Sequence, residues 1–290
     1  MNTDKYVKNL GTLINKTIAV TGTTGGIGKV ICRYIALLRG NLILINRNKT
    51  RAEKQKAELE AEFPTVKIIM LIADLSDIES VKAMCETLNK HAVDILILNA
   101  GVYSVPRFTT TSGLDNVFQI NFASQYYIAK QMLKTTMRKN AKIIAVGSIA
   151  HNYSRLDKSD FDFKCRKSSA LVYGNSKRFL MFSLFELFKN RNDVSLAVCH
   201  PGITFTNITA HYPKLLFAII KNPMKVIFMK PKKAALSIID GCFKEYEERS
   251  WIGPRFFNIW GKPTKKKLNT CTLAEQKEIF EIAESIYNGL

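Results

Sequence analysis

Thr21-Gly-Thr-Thr-Gly-Gly-Ile-Gly28 follows directly on the β-branched run Thr17 to Thr21 and opens directly into a helical pattern, Ile27 to Leu38. That placement decides the fold. Glycines at 22, 26 and 28 permit a tight turn and a close backbone approach, so a pyrophosphate can rest on the amide groups of a helix N-terminus. Elsewhere in a chain such a turn would say little. After the first strand and at the mouth of a helix it marks a dinucleotide-binding strand–turn–helix unit, with Gly22, Thr23, Thr24, Gly26, Ile27 and Gly28 as candidate contacts.

Working outward, short β-rich runs alternate with longer helical patterns as far as His200. The strands are expected at Thr17 to Thr21, Leu42 to Asn46, Lys67 to Ile72, Asp94 to Asn99, Lys142 to Val146 and Val194 to His200. Helices are expected at Ile27 to Leu38, Lys49 to Phe63, Ser76 to Lys90, Leu114 to Arg138 and Leu171 to Asn190. Near-continuous Ile, Leu and Val strands between helices mean a parallel sheet covered on both faces, a doubly wound α/β fold. Ser76 with Glu79, and Thr272 with Glu275, have the spacing of capping boxes. Lys232 to Glu247 reads as the last core helix, with a short strand near Trp251 to Gly253 after it. The run Lys262-Pro-Thr-Lys-Lys-Lys267 reads as a solvated basic loop. No linker-like stretch interrupts residues 1–290, which predicts a single domain.

The second strand carries information about the coenzyme. A carboxylate at its end would accept the ribose hydroxyls of NAD. Here it ends Ile45-Asn46-Arg47, with Lys49 and Arg51 next and no carboxylate before Glu53. A guanidinium suits a 2'-phosphate, so Asn46 and Arg47 point to NADP(H).

Tyr173 and Lys177 lie four apart, and on a helix they share a face. A free phenol, with a pKa near 10, is too weak an acid for work at neutral pH. An ammonium roughly 5 Å away, at an effective dielectric of about 20, favours the phenolate by about 3 kcal/mol, or about 2 pKa units. The pair is therefore a candidate proton donor and its activator.

Together these residues give the chain a resemblance to the short-chain dehydrogenases/reductases. The motifs stand in that family's order: Gly22-x-x-x-Gly26-x-Gly28, Asp74-Leu75, Asn99-Ala100-Gly101, Asn121, Ser148, Tyr173-x-x-x-Lys177 and Pro201-Gly202. The resemblance implies a single-domain Rossmann fold of about seven strands in the order 3-2-1-4-5-6-7. It implies NADP(H)-dependent oxidoreduction of a carbonyl or alcohol, with Tyr173 as acid, Ser148 holding the substrate oxygen, Lys177 lowering the phenol pKa and Asn121 keeping a water in a proton relay. By the same resemblance Asp74 and Leu75 serve the adenine and Asn99, Ala100 and Gly101 the strand end beside the cofactor. Tyr173 and Lys177 reach the nicotinamide ribose, and Pro201, Gly202 and Thr204 the carboxamide side.

Between Ser148 and Tyr173 the loop is long and carries His151-Asn-Tyr153, which looks like the retinol-dehydrogenase-like branch and its apolar substrates. His151 is expected to line the pocket entrance. Phe205 to Lys230, rich in apolar residues and interrupted by lysines, is the expected substrate lid and implies a greasy substrate such as a lipid aldehyde, retinoid or steroid. The same face can instead lie on an anionic membrane, or pack into the core or a subunit interface of a homo-oligomer.

The net charge of +19 admits nucleic acid, an anionic membrane or phosphorylated ligands, and does not choose among them. Without a recognised module, specific nucleic-acid binding is not expected. The six cysteines are scattered without metal-ligand spacing, and no apolar leader precedes the first strand, so a reduced, cytoplasmic setting is expected, with peripheral membrane contact open. A non-catalytic dinucleotide sensor would need the glycine turn but not Ser148, Tyr173 and Lys177 together.

Overall fold

A computed structural model describes residues 2–135, 137–204, 229–244 and 248–290. Eight strands form one sheet in the order β3-β2-β1-β4-β5-β6-β7-β8. They are β1 (Thr17–Thr21), β2 (Asn41–Asn46), β3 (Ile68–Ile72), β4 (Val93–Leu98), β5 (Met137–Val146), β6 (Val194–Cys199), β7 (Ser250–Phe256) and β8 (Trp260–Lys267). The first seven run parallel, and β8 returns antiparallel beside β7. The expected order is present with one strand added at the edge.

Side chains alternate across the sheet with the strand period of two. Ala19, Ile43, Leu96, Ile143 and Val198 face one apolar layer. Ile18, Val20, Leu42, Leu44, Ile97 and Ile144 face the other. The first layer is covered by α4 (Ile78–Leu88), α6 (Ser124–Thr135), α7 (Ser169–Phe188) and α9 (Leu273–Gly289); the second by α1 (Thr3–Lys8), α2 (Gly26–Leu37), α3 (Lys49–Glu62) and α8 (Pro231–Phe243). Burial on both faces explains why the strands read as continuous apolar runs. No described helix is long and apolar enough to cross a membrane.

Several boundaries differ from the sequence expectation. The helix expected over 114–138 is α5 (Asn116–Phe118), a π turn Gln119–Ala123 and then α6, and it stops at Thr135 because pairing of Met137 with Val93 draws the chain into β5. α4 is capped by Asp77, whose side chain accepts from the Glu79 amide. Ser76 is taken instead by Asp74, which accepts from its amide at 2.9 Å and its hydroxyl at 2.7 Å. Thr272 does cap α9, but the Glu275 carboxylate turns to Arg178 rather than back to the cap. The basic run 262–267 is not a loop: it is β8, whose backbone is satisfied by β7 while its lysines guard the sheet edge. Helix α1 was not anticipated because six residues hold too little periodicity; it is fixed by an Asn2 cap and by buried Val7. The segment expected as the lid, 205–230, lies outside the described residues over 205–228.

Candidate active site

The carboxyl ends of β1 and β4 are locked together before any ligand is considered. Thr21 Oγ1 accepts from the amides of Asn99 (3.0 Å) and Ala100 (2.9 Å). In return Asn99 Nδ2 donates to the carbonyls of Thr21 (2.9 Å) and Gly22 (3.1 Å). Gln125 adds a bond from its Nε2 to Ala100 O at 2.8 Å. Asn99 thus works on the protein's own glycine turn.

That turn cannot be built from other residues. Gly22 has φ +68, and a Cβ there would stand 2.8 Å from Ala100 Cα; one on Gly28 would stand 2.3 Å from Gly22 O. Helix α2 has Gly25 at its N-cap with no side-chain cap among the described residues, so its first amides remain open to an anion. Thr23 turns the other way. Its buried hydroxyl accepts from Asn46 Nδ2 at 2.6 Å and donates to Gln55 Oε1 at 2.7 Å, so it braces the turn from below and does not line the groove above. Asn46 also accepts from the Thr24 amide at 3.1 Å.

Above the turn runs a groove of about 470 Å³, lined by Gly22, Thr24, Gly26, Ile27 and Gly28, by Asn46, Arg47 and Arg51, by Asp74 and Leu75, and by Asn99, Ala100, Gly101 and Tyr103. Arg47 and Arg51 are both exposed, and neither has a carboxylate partner among the described residues. The open amides, the close-approach glycines and this free cationic end fit a nicotinamide dinucleotide.

The other candidates stand behind Gly101 and are not themselves lining residues of the groove. Gly101 leaves room where a Cβ would stand 3.3 Å from both Lys177 Nζ and Asn121 Oδ1. Asn121 sits in the π turn, a distortion frequent at functional sites. Its Oδ1 accepts from Val102 N at 2.7 Å, and its Nδ2 donates to Val102 O at 2.9 Å and Ser176 Oγ at 3.0 Å. Lys177, buried on α7, donates to Val146 O at 2.9 Å. One turn earlier, half-buried Tyr173 stands beside the Ser148 side chain, and Tyr103 meets its ring edge-on at 5.3 Å. Tyr103 therefore links groove and phenol.

The electrostatics differ from the expectation that Lys177 dominates. Burial pushes the Tyr173 phenol up to about 12, with the neighbouring Ser148 side chain opposing it. Burial pushes Lys177 down to about 8. Its ammonium lies 5.9 Å from the phenol ring centroid. Lys177 thus loses its proton before Tyr173 does. At that distance from the ring the Lys177 ammonium favours the phenolate without offsetting the burial that opposes it.

Pro201, Gly202 and Thr204 do not line the groove. Gly202, at φ +82, is packed beneath Met229 and Ile259, and Thr204 bridges to Met229. His151 is not at a pocket entrance. It is wholly buried, with Nδ1–H donating to Ser148 O at 2.6 Å and Nε2 accepting from Thr270 Oγ1 at 2.7 Å, and it packs edge-on to Trp251. The apolar surroundings push it down to about 4, so it is neutral and serves the Ser148 loop as a brace.

Sequence reasoning missed the brace behind the site. Arg178, fully buried beside Lys177, donates to both Glu275 oxygens at 2.8 and 2.6 Å, to His151 O at 3.2 Å and to Thr270 O at 3.0 Å. It fastens α9 to α7 and to the Ser148 loop. Nothing in the spacing of residues 178 and 275 signals the pair.

Residues 16–214 match the short chain dehydrogenase family. The chain belongs to that family. Family members are oxidoreductases that use NAD(P)(H), and the groove has the shape and donors such a coenzyme needs. Among curated relatives, this short-chain dehydrogenase is 28% identical over 199 residues to retinol dehydrogenase 12 of Mus musculus, covering 67% of the chain and 63% of that protein. It is 28% identical over 206 residues to human retinol dehydrogenase 13, covering 69% of the chain and 62% of that protein. The match therefore spans less than two thirds of the length of these relatives. A longer alignment, 27% identical over 289 residues, covers 94% of the chain and 69% of a WW domain-containing oxidoreductase of Drosophila melanogaster. Among solved structures, an uncharacterised Mycobacterium paratuberculosis protein superposes with TM-score 0.79 at 19% identity over 97% of both chains. A Sphingobium yanoikuyae short-chain dehydrogenase in complex with NADPH superposes with TM-score 0.58 at 21% identity, covering 78% of this chain and 84% of that one.

Proposed function

We propose that the protein catalyses reversible oxidoreduction at a CH–OH group, interconverting an apolar carbonyl and its alcohol with NADP(H). The observation that carries the reading is the cluster of Tyr173, Lys177 and Asn121 behind Gly101, which lines the same groove as Arg47 and Arg51, neither of them with a carboxylate partner among the described residues. The coenzyme would lie on the α2 amides between these ends and supply or accept the hydride. Arg47 and Arg51 hold a 2'-phosphate, and Asp74 and Leu75 flank the adenine end.

In the reducing direction Tyr173 gives its phenolic proton to the developing alkoxide, while Ser148 holds the same oxygen by a hydrogen bond. Lys177 keeps the resulting phenolate tolerable through its charge. Asn121 fixes the π turn and the Val102 backbone, and with a water returns a proton toward Tyr173. Pro201, Gly202 and Thr204, set back from the groove's lining, would reach the carboxamide side only with the bound coenzyme in place. We read residues 1–290 as one domain with a lid over 205–230, whose apolar sequence suits a lipid aldehyde, retinoid or steroid. The relatives named retinol dehydrogenase support the same substrate class.

The test is Tyr173→Phe, assayed with NADPH and a panel of aldehydes and ketones. Turnover should fall by more than a hundredfold, about 3 kcal/mol at the barrier, while coenzyme titration is unchanged. Near-full activity in that variant would refute the assignment of the acid.

A further inference from the structure

The turn between β7 and β8 carries Phe256-Phe257-Asn258-Ile259-Trp260, and its aromatics are all partly or largely exposed. Phe257 is 79% exposed, Phe256 55% and Trp260 40%. Among the described residues the other large exposed apolar ones, Ile14, Ile72, Phe108, Tyr153 and Leu273, are scattered along the chain. Clustered apolar exposure marks an interaction surface where isolated residues do not.

The backbone is bent to produce this display. Phe257 has φ +50, a left-handed conformation that is costly for a bulky side chain, and Asn258 follows at φ +57. The turn is held in that shape from within. Lys266 Nζ donates to Pro254 O at 3.0 Å and Asn258 Oδ1 at 2.8 Å, and His200 Nε2 donates to Asn258 O at 3.0 Å. Three polar contacts thus fix a tip whose outermost residue contributes little to the core.

The charged residues of the hairpin near its tip have one sign: Arg255, with its guanidinium 5.5 Å from the Phe256 ring centroid, and Lys262 are exposed, and the sequence has no acidic residue between Glu248 and Glu275. Exposed aromatics flanked by Arg255 and Lys262 match an anionic bilayer surface, where rings enter the headgroup region and cations meet phosphates and carboxylates. Because β7 runs parallel to β6, the tip lies at the carboxyl end of the sheet, the rim on which the groove opens.

We propose that this hairpin tip docks the protein on an anionic phospholipid surface, with Phe256, Phe257 and Trp260 entering the bilayer interface and Arg255 and Lys262 on the headgroups. The proposal deepens the apolar-substrate reading by placing the groove's rim against the phase that holds such substrates, but its test does not depend on turnover.

The decisive variant is Phe257→Asn. Asparagine tolerates a positive φ better than phenylalanine, so this change keeps every charge and relaxes the backbone while removing the foremost aromatic. With the full chain and vesicles of phosphatidylcholine containing phosphatidylserine, wild type should co-sediment and Phe257→Asn should partition at least about tenfold less, the effect of withdrawing one aromatic from an apolar phase. Its thermal midpoint should be unchanged or higher, and its turnover of a water-soluble aldehyde should equal wild type. Trp260 fluorescence should be quenched by brominated phosphatidylcholine, while Trp260→Phe, retaining only buried Trp251, should show no quenching. Vesicle binding by Phe257→Asn equal to wild type, or no wild-type binding at all, would overturn the proposal. So would a wild-type dimer that Phe257→Asn dissociates without change in lipid binding, since a second copy would then be the occupant. Absence of turnover in both proteins would count against the proposed activity and leave the lipid result standing.

Discussion

Replacing Arg178 by Met should uncouple the last helix from the proton-donating one. The guanidinium is fully buried and holds Glu275, itself 17% exposed, through two bonds of 2.6 and 2.8 Å. Methionine fills much of the volume but leaves the carbonyls of His151 and Thr270 without a donor they now have. Breaking a buried ion pair from one side costs about 3–5 kcal/mol. The partial exposure of Glu275 lets water solvate its charge, so about 3 kcal/mol is expected. Burial by itself raises the Glu275 carboxyl, but the Arg178 and Leu156 bonds outweigh it and hold the group below its ordinary value. Glu275→Gln keeps part of that network and should cost about 2 kcal/mol, and the double variant should cost little more than Arg178→Met alone. A coupling of about 1.5 kcal/mol or more from urea unfolding of all four proteins would show the pair acting as a unit. Turnover should fall in Arg178→Met because the bond to His151 O steadies the loop that carries Ser148. A loss below about 1 kcal/mol with no coupling would refute the idea that α9 is clamped through this residue.

Arg47→Asp should lower NADPH affinity by more than about tenfold and spare or improve NADH, read by titrating both coenzymes; equal behaviour toward the two would remove the 2'-phosphate argument. Gly28→Ala places a Cβ 2.3 Å from Gly22 O and should abolish coenzyme binding, whereas Gly289→Ala, with nothing within 4 Å, should be silent. His151 and His200 are both held near 4 by burial, so the unfolded chain, with histidines near 6.5, takes up protons first as the pH falls. Their stabilising effect is complete above about pH 6.5 and is lost toward pH 4, at up to about 1.4 kcal/mol per unit for each residue. Unfolding free energies measured from pH 7 to 5 should fall accordingly, and His200→Gln should flatten the slope; an unchanged slope would mean that His200 is not held neutral.

The parallel layers were legible because both signals are local. The strand period of two and the helix period of 3.6 are written in consecutive residues, and Gly22, Gly26 and Gly28 encode a turn whose conformation needs no distant partner. Tyr173 and Lys177 were legible for the same reason, since four residues on a helix fix their shared face. By contrast β8 was hidden, because a run of lysines with a proline becomes a strand only when β7 offers it an edge. His151 was misplaced because its sequence neighbours say nothing of Thr270 and Trp251, which close around it.

The sequence alone determined the order of the elements, the glycine turn and the helix face that Tyr173 and Lys177 share. Only the tertiary structure decided what those groups experience. Burial moves Tyr173 and Lys177 in opposite directions, Arg178 finds a carboxylate 97 residues away, and Phe257 is held outside against its own backbone preference. Each depends on which surfaces are removed from water and on pairings across long stretches of chain, and neither quantity is a property of neighbouring residues.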